Sequence, residues 1–317
     1  PNRTGNYRLI CLQLLIILNN TPKTLAMKIN TAAIILTALL ALSFRADKPA
    51  YKLYDSEGKD IKYQKMIETI SKADVVFFGE LHDNPIAHWL EYEVTADLHE
   101  IAGDRLILGA EMFETDNQLL LDEYLGSEYE ADKFEAEAKL WKNYKTDYKP
   151  LVEFAKKNKL PFIATNVPRR YASMVSRGGF EELDSLAAEA KRYLAPLPVS
   201  YDPELKCYKD MLSMNGMPGM GGKPNLNFPK AQAIKDATMA HFIAENLPAG
   251  RMFIHYNGSY HSDNYLGIIH YLKLYRPGIK VATISTVLQE NLQELDTENK
   301  GIADFIVVIP ATMTRTY

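Results

Sequence analysis

Short apolar runs that alternate with segments of helical periodicity constrain this chain more than any other feature of its sequence. Runs such as Asp74–Phe78 (DVVFF) and Arg105–Ala110 (RLILGA) are long enough for one buried strand and too short for a helix. Between them, apolar residues recur every three or four positions from Ile86 to Ile101, as on one face of a helix. This alternation is typical of α/β proteins. We therefore predict a three-layer αβα sandwich with a mostly parallel central sheet.

The same patterns predict the other elements of one domain over residues 47–317. Asn84 and Pro85 mark the start of the first long helix, and Gly103 marks its end. The further strands are predicted at Pro161–Thr165, Arg251–Tyr256, Lys280–Thr286 and Phe305–Ile309. The further helices are predicted at Gln118–Tyr124, Ala131–Tyr144, Leu151–Lys157, Arg169–Ser176, Phe180–Tyr193, Ala231–Asn246 and Ser262–Tyr275.

A long insertion rich in methionine, glycine and proline, Ala195–Pro229, interrupts the alternation. Loops of this length inside a compact domain are usually lids, binding loops or disordered segments. The methionines of MLSMNGMPGMGG offer adaptable apolar contacts. We predict a mobile lid or dimer arm over the edge of the sheet, and a flexible surface insertion is the alternative.

The first 46 residues have the pattern of a targeting segment. The basic start Met27–Lys28 precedes the apolar stretch AAIILTALLALSF, and Ala41 or Ala46 offers a cleavage position. Translation is predicted to begin at Met27, with residues 1–26 as upstream extension. No lipobox cysteine follows the apolar stretch, so the protein is expected to be exported to the periplasm or cell envelope without a lipid anchor.

Several classes of protein are excluded by composition and motifs. The net charge of -4 argues against a general nucleic-acid binder. Cys11 and Cys207 cannot form a disulfide framework, and no run of 18 apolar residues predicts a transmembrane span of the mature protein. The sequence also lacks a G-x-S-x-G nucleophile elbow, a phosphate-binding loop and an H-E-x-x-H zinc motif.

Ionisable or polar side chains recur where the predicted strands end. These are Glu80 and His82 after the first strand, Glu111 after the second, Asn166 after the third, and His255 and His261 around the end of the fourth. Ligands of open α/β sheets bind at the carboxyl ends of the strands. Carboxylates and imidazoles meeting there can bind a metal ion or act as acid and base.

Each of these residues also has an ordinary structural interpretation. Glu80 could favour the positive end of the following helix, and His82 could be an exposed loop residue. His255 could be a hydrogen-bonded core histidine, and Glu111 a strand-end carboxylate. Arg169 and Arg170 could clamp an anion or simply begin a solvated helix.

The motifs FFGELHDN, GAEMFE, TNVPRRYASMV, KAQAIKDATMAHF and FIHYNGSYH together resemble the ChaN-like haem-binding family, within the wider Tiki and erythromycin-esterase group. The resemblance covers about Asp74 to Thr286. Two Gly-x-x-His elements, Gly79–His82 and Gly258–His261, and Glu111 match the Tiki-type pattern.

The resemblance implies two functions. The first is haem binding by a homodimer in iron uptake. Tyrosine would then ligate the iron, with Tyr208 the first candidate before Tyr171 and Tyr260, and with Arg169 and Arg170 toward the propionates. The alternative is a metal-dependent hydrolase, in which His82, Glu111 and His261, with His255 beside them, hold Mn, Co or Zn and Glu80 acts as general base.

Overall fold

A seven-stranded sheet forms the centre of the domain in a computed structural model, which describes residues 48–214 and 225–317. The strands are β1 (Lys52–Asp55), β2 (Val75–Glu80), β3 (Leu106–Glu114), β4 (Phe162–Asn166), β5 (Met252–Gly258), β6 (Val281–Gln289) and β7 (Phe305–Pro310). Their order across the sheet is β1-β7-β6-β2-β5-β3-β4. All neighbours run parallel except β1, which pairs antiparallel with β7 at one edge. The predicted mostly parallel sheet is confirmed.

Helices cover both faces of this sheet, because its strands are apolar on both sides. Val76 and Phe78 of β2 belong to one buried cluster, and Val75 and Phe77 belong to another. The helices are α1 (Tyr63–Ile70), α2 (Pro85–Ala102), α3 (Gln118–Leu125), α4 (Ala131–Glu137), α5 (Lys149–Asn158), α6 (Arg169–Gly178), α7 (Ala188–Lys191), α8 (Lys206–Met214), α9 (Phe228–Glu245) and α10 (Ile268–Tyr275). α2 packs its apolar stripe on the first cluster, whereas α9 and α10 pack on the second. None of the described helices is long and apolar enough to span a membrane.

The start of α2 shows how local sequence positions the functional edge. The Asn84 side chain accepts hydrogen bonds from the backbone N–H groups of Ile86 and Ala87, at 3.0 and 3.2 Å, and Pro85 occupies the first turn. The predicted N-cap is therefore confirmed. This cap turns the chain sharply after β2 and leaves residues 80–83 at the carboxyl edge of the sheet.

Several predicted helices are shorter in the structure. The segment predicted as helix Ala131–Tyr144 leaves the helical conformation at Ala138, and a π-type turn follows at Tyr144–Tyr148. The predicted helix Ser262–Tyr275 begins only at Ile268, because Asn264 and Gly267 adopt positive φ angles of 58° and 53°. The predicted helix Phe180–Tyr193 divides into a 3-10 turn at Phe180–Ser185 and the short α7.

Part of the insertion Ala195–Pro229 is regular, since it contains α8. Cys207, Tyr208 and Met211 of this helix join the core cluster beneath α9. The glycine-rich centre of the predicted lid lies outside the described residues. So do the predicted signal segment, its cleavage positions and the start at Met27.

Candidate functional site

The two Gly-x-x-His elements lie side by side because β2 and β5 are neighbouring parallel strands. Glu80 at the end of β2 is in register with Gly258 at the end of β5. Gly79 and Gly258 allow the two elements to approach each other closely. A Cβ atom on Gly258 would lie 2.7 Å from His82 Nε2, and one on Gly79 would lie 2.9 Å from Ser259 Cα. A side chain at Gly79 would therefore collide with the backbone of the second element, and one at Gly258 would displace the His82 ring.

His82 is oriented by the carboxylate two residues before it. Its Nδ1 lies 2.6 Å from Oε1 of the buried Glu80, and the same oxygen accepts a hydrogen bond of 2.9 Å from Tyr148 Oη. One third of the His82 side chain is exposed. The His82 Nε2 atom points toward Gly258. Glu111 Oε2 lies beside it, 3.6 Å from the position that a Cβ atom on Gly258 would occupy.

His261 is held in the same way by a carboxylate from a distant helix. Its Nδ1 lies 2.5 Å from Asp236 Oδ1 on α9, and the second Asp236 oxygen accepts a hydrogen bond of 2.7 Å from Tyr208 Oη. The His261 Nε2 lies 3.4 Å from Glu111 Oε1. Glu111 Oε2 in turn accepts the backbone N–H of Gly258 at 2.8 Å. Glu111 thus lies between the two imidazoles.

The charges of these groups stabilise one another. Burial alone would raise the pKa of Glu80, but the His82 and His88 imidazoles beside it lower it to about 2. Burial would likewise raise the pKa of Glu111, but the His261 and His82 charges hold it well below its usual range. Burial alone would lower the pKa of His261, but the negative charges of Glu111 and Asp236 outweigh burial and raise this pKa to about 10. Without a ligand, His261 is therefore protonated at neutral pH, and binding of a cation releases protons.

The arrangement fits a divalent metal ion. Histidine ligands usually carry a carboxylate on the nitrogen that faces away from the metal, and both His82 and His261 have one. Their Nε2 atoms and the Glu111 carboxylate supply nitrogen and oxygen ligands suited to Mn, Co or Zn. Among the described residues, however, the set of three whose ligand atoms all lie within 4.8 Å is a different one, Glu80, His88 and Glu91. The ligand atoms of His82, Glu111 and His261 would therefore have to move closer together to share one ion.

Two adjoining cavities open on either side of the imidazoles. The larger, of about 700 Å³, is walled by residues that include Leu81, Met211, Phe228, Tyr260 and Tyr317. The other, of about 520 Å³, is walled by polar groups that include Glu111, Asn166, Arg169 and Lys235. His82 and His261 contribute to both walls. The site therefore faces one apolar and one polar space.

The structure brings four of the predicted residues together and places His255 apart from them. Glu80, His82, Glu111 and His261 form the site described above. His255 lies wholly in the core, where its Nε2 contacts Thr165 Oγ1 at 2.8 Å and its Nδ1 contacts Asn257 Oδ1 at 3.0 Å. Burial lowers the pKa of His255 to about 4, so this imidazole is neutral and satisfied within the protein.

The predicted haem ligands lie in different surroundings. Tyr208 is buried with its hydroxyl bound to Asp236, and Tyr171 is nearly buried beside Arg170. Tyr260 is 39% exposed in the wall of the larger cavity, and its hydroxyl donates to the Cys207 carbonyl at 2.6 Å.

The two predicted arginines also differ in position. Arg169 lines the polar cavity. Arg170 forms an ion pair with Asp116 and lies over the Tyr171 ring, so its charge is already partnered.

Two residues of the site were not predicted from the sequence. Asp236 is one acidic residue within the apolar helix segment AIKDATMA, and its burial in such a segment is the signal that could have identified it. His88 is the other, and the structure buries it against Glu80 and Glu91, at 2.9 and 3.2 Å.

The fold and this geometry define an α/β ligand-binding protein whose site lies at the carboxyl edge of a parallel sheet. A family model described as haem-binding uptake, Tiki superfamily, ChaN matches residues 66–272, more than half of the chain. The chain therefore belongs to the ChaN haem-binding family of the Tiki superfamily, as its motifs predicted.

A solved structure shows the same fold. The chain is similar to ChaN of Campylobacter jejuni, a structure of cofacial haem binding, with a TM-score of 0.63 and 19% identity over 82% of this chain and 97% of that one. It also matches a mutant erythromycin esterase, EreC, in its open conformation, with a TM-score of 0.46 and 10% identity over 83% of each chain. No curated protein sequence matches this chain.

Proposed function

We propose that this chain is an exported haem-binding protein of the bacterial envelope that acts in haem or iron uptake. Membership of the ChaN haem-binding family is the observation that carries this proposal. The cavity beside His82 and His261 supports it, because about 700 Å³ lies within the range of roughly 300–1,000 Å³ that is usual for small-molecule and cofactor sites. The basic and apolar pattern of residues 27–44 supports export.

The wall of the larger cavity fits haem. Leu81, Met211 and Phe228 offer apolar surface to a porphyrin, and Tyr260 and His82 offer an oxygen and a nitrogen for the iron. Ferric haem would supply an iron that accepts such a ligand. Burial raises the pKa of Tyr260 to about 12, so ligation by the phenolate requires that the phenol proton be displaced.

The polar cavity offers positive charge for the carboxylates of the same cofactor. Arg169 and Lys235 both contribute to its wall. Arginine and lysine side chains form charge-assisted hydrogen bonds with carboxylates. These two residues are therefore our candidates for the propionate side of the ligand.

Replacing Tyr260 by phenylalanine tests the ligand assignment. Loss of the phenol oxygen should weaken binding of ferric haem by about tenfold or more, which corresponds to about 1.4 kcal/mol. The measurement is an absorbance titration in the Soret region.

Tyr171→Phe is the matched control, because Tyr171 lies outside the walls of both cavities. This variant should bind haem as the unmodified protein does. Equal affinity in the two variants would contradict the assignment to Tyr260, and the absence of any saturable Soret change in the unmodified protein would contradict haem binding. Sedimentation with and without haem tests the proposed homodimer.

A metal-dependent hydrolase is the second candidate, and the carboxylate behind each imidazole is the observation that favours it. His82, Glu111 and His261 would hold Mn, Co or Zn, and the ion would lower the pKa of a bound water. Glu80 is already bound to His82, His88 and Tyr148. In this function Glu80 would therefore orient His82, besides its predicted role as general base.

The double variant His82→Ala, His261→Ala tests this candidate. It should lose Mn, Co or Zn from the cavity site, because both nitrogen ligands are gone. Elemental analysis of the purified protein measures the metal content. His270→Ala, on α10, is the control and should keep the metal. Equal metal content in all three proteins would exclude a metal site at His82 and His261.

A further inference from the structure

We infer that Glu80, His88 and Glu91 form a second site, buried beneath the cavity, that binds one divalent transition-metal ion such as Zn²⁺. The inference rests on these three side chains alone and does not depend on haem. It concerns a different set of ligands from His82, Glu111 and His261.

The three side chains converge from two elements. Glu80 ends β2, whereas His88 and Glu91 lie three residues apart, and so on the same face of α2. All three are buried, with 1%, 6% and 0% of their surface exposed. Carboxylates are almost never fully buried unless they are paired or bound to a metal.

The distances match the spacing of ligands around an ion. His88 Nδ1 lies 2.9 Å from Glu80 Oε2 and 3.2 Å from Glu91 Oε2, and one ligand atom from each residue falls within 4.8 Å of the others. Metal–ligand bonds of roughly 2.0–2.2 Å separate neighbouring ligand atoms by about 3.0–3.5 Å. Small side-chain adjustments would therefore place an ion among them.

Within the described part of the chain, two buried carboxylate oxygens of this cluster have no hydrogen-bond partner, Glu80 Oε2 and Glu91 Oε1. His88 Nδ1 carries at most one hydrogen, which cannot serve both carboxylates. Glu80 Oε2 lies 2.9 Å from Nδ1 without a hydrogen-bond geometry, and Glu91 Oε1 has no partner. A buried polar oxygen without a partner is costly, and an ion bonded to Nδ1 and both carboxylates removes that cost.

The surrounding groups orient the ligands as a metal site requires. His88 Nε2 lies 3.2 Å from the His82 carbonyl oxygen and 3.4 Å from Asp147 Oδ2, so a hydrogen on Nε2 leaves the Nδ1 lone pair facing the two carboxylates. Tyr148 donates to Glu80 Oε1 and fixes that carboxylate from the other side.

The buried ion would act on the cavity through Glu80. One oxygen of this carboxylate faces His88 and the other holds His82, so an ion on the first fixes the orientation of His82. Glu80 also contributes to the wall of the larger cavity, so the buried site lies directly behind that wall.

Glu91→Gln tests the site, because glutamine has the shape of a protonated glutamate and is a poor metal ligand. The protein is unfolded with a strong chelator, refolded, and titrated with ZnCl₂ and CoCl₂ by calorimetry and visible absorbance. We expect Glu91→Gln to bind one equivalent less than the unmodified protein and to lose the corresponding Co²⁺ absorption bands. Glu100→Gln, exposed on the same helix, should bind as the unmodified protein does.

The variant His82→Ala, His261→Ala separates this site from the one in the cavity, since it should keep the ion that Glu91→Gln loses. Identical stoichiometry and Co²⁺ spectra in Glu91→Gln and the unmodified protein would overturn the inference and show that a shared proton holds the cluster. A circular dichroism spectrum unchanged by the substitution establishes that a lost ion reflects a lost ligand and not a lost fold.

Discussion

Replacing Asp236 by alanine is expected to lower the free energy of unfolding by about 3–5 kcal/mol, the cost of removing one partner from a buried ion pair. The Asp236 carboxylate accepts from His261 Nδ1 at 2.5 Å and from Tyr208 Oη at 2.7 Å, and all three side chains are buried. Its loss leaves the His261 Nδ1–H and the Tyr208 hydroxyl without an acceptor in the core. Urea denaturation followed by circular dichroism measures the change.

Two further variants show whether the buried network is responsible. Asp210→Ala removes an exposed partner of Lys206 and should cost less than about 1 kcal/mol, as surface ion pairs do. Asp236→Asn keeps one oxygen acceptor and should fall between the two alanine variants. A loss in Asp236→Ala no larger than that in Asp210→Ala would contradict a stabilising role for this network.

The same network gives a defined pH dependence in chelator-treated protein. The pKa of His261 rises from an unfolded value of about 6.5 to about 10 in the folded protein, where burial is outweighed by Glu111 and Asp236. A raised pKa stabilises the fold fully below the unfolded value, and the contribution disappears as pH rises through the folded value. The stability difference between the unmodified protein and Asp236→Ala should therefore shrink between about pH 7 and pH 10. A constant difference over that range would contradict the assignment.

Gly258→Ala should leave the fold intact and weaken ligand binding by at least about tenfold. The φ and ψ angles of Gly258, -54° and 134°, are open to alanine, so the backbone is not strained. The new Cβ would lie 2.7 Å from His82 Nε2, and because His82 is partly exposed, its ring can move away. That movement separates the imidazole from Glu111.

Titrations with ferric haem and with Zn²⁺ measure the effect, and circular dichroism monitors the fold. Gly126→Ala is the matched control, because a Cβ there would meet no atom closer than 3.3 Å and the residue is not in either cavity wall. If Gly258→Ala and Gly126→Ala bind both ligands equally well, the contact between the Gly-x-x-His elements has no part in binding.

Local patterns predict much of this fold. Two kinds of feature depend only on neighbouring residues, the apolar runs of β2 and β3 and the Asn84–Pro85 cap of α2. The structure confirms both. β1 was not predicted, since KLYD is short and half polar and becomes a strand only by pairing with β7. The late start of α10 was hidden for a similar reason, because the positive φ of Asn264 depends on contacts such as its backbone hydrogen bond to Ile302.

The candidate site divides in the same way. Glu80, His82, Glu111 and His261 lie at or near the carboxyl ends of strands, so the topology rule for parallel sheets brings them together. Asp236 reaches His261 from the middle of a helix, and no local spacing relates the two residues. His255 shows the opposite limit, because it precedes the strand end by a few residues and its side chain enters the core. Sequence proximity to a strand end does not determine the face on which a side chain emerges.

Because β2 and β5 are neighbouring strands, a ligand bound by both His82 and His261 cross-links them. The two imidazoles are far apart in the chain and meet only where these strands pair at the centre of the sheet. A bound ligand then closes a loop that contains most of the domain and can form only in the folded state. At one hundred times its dissociation constant, such a ligand adds about 2.7 kcal/mol to stability. Loading with ligand therefore protects the whole sheet against unfolding and proteolysis, and the empty protein is the form that is degraded first.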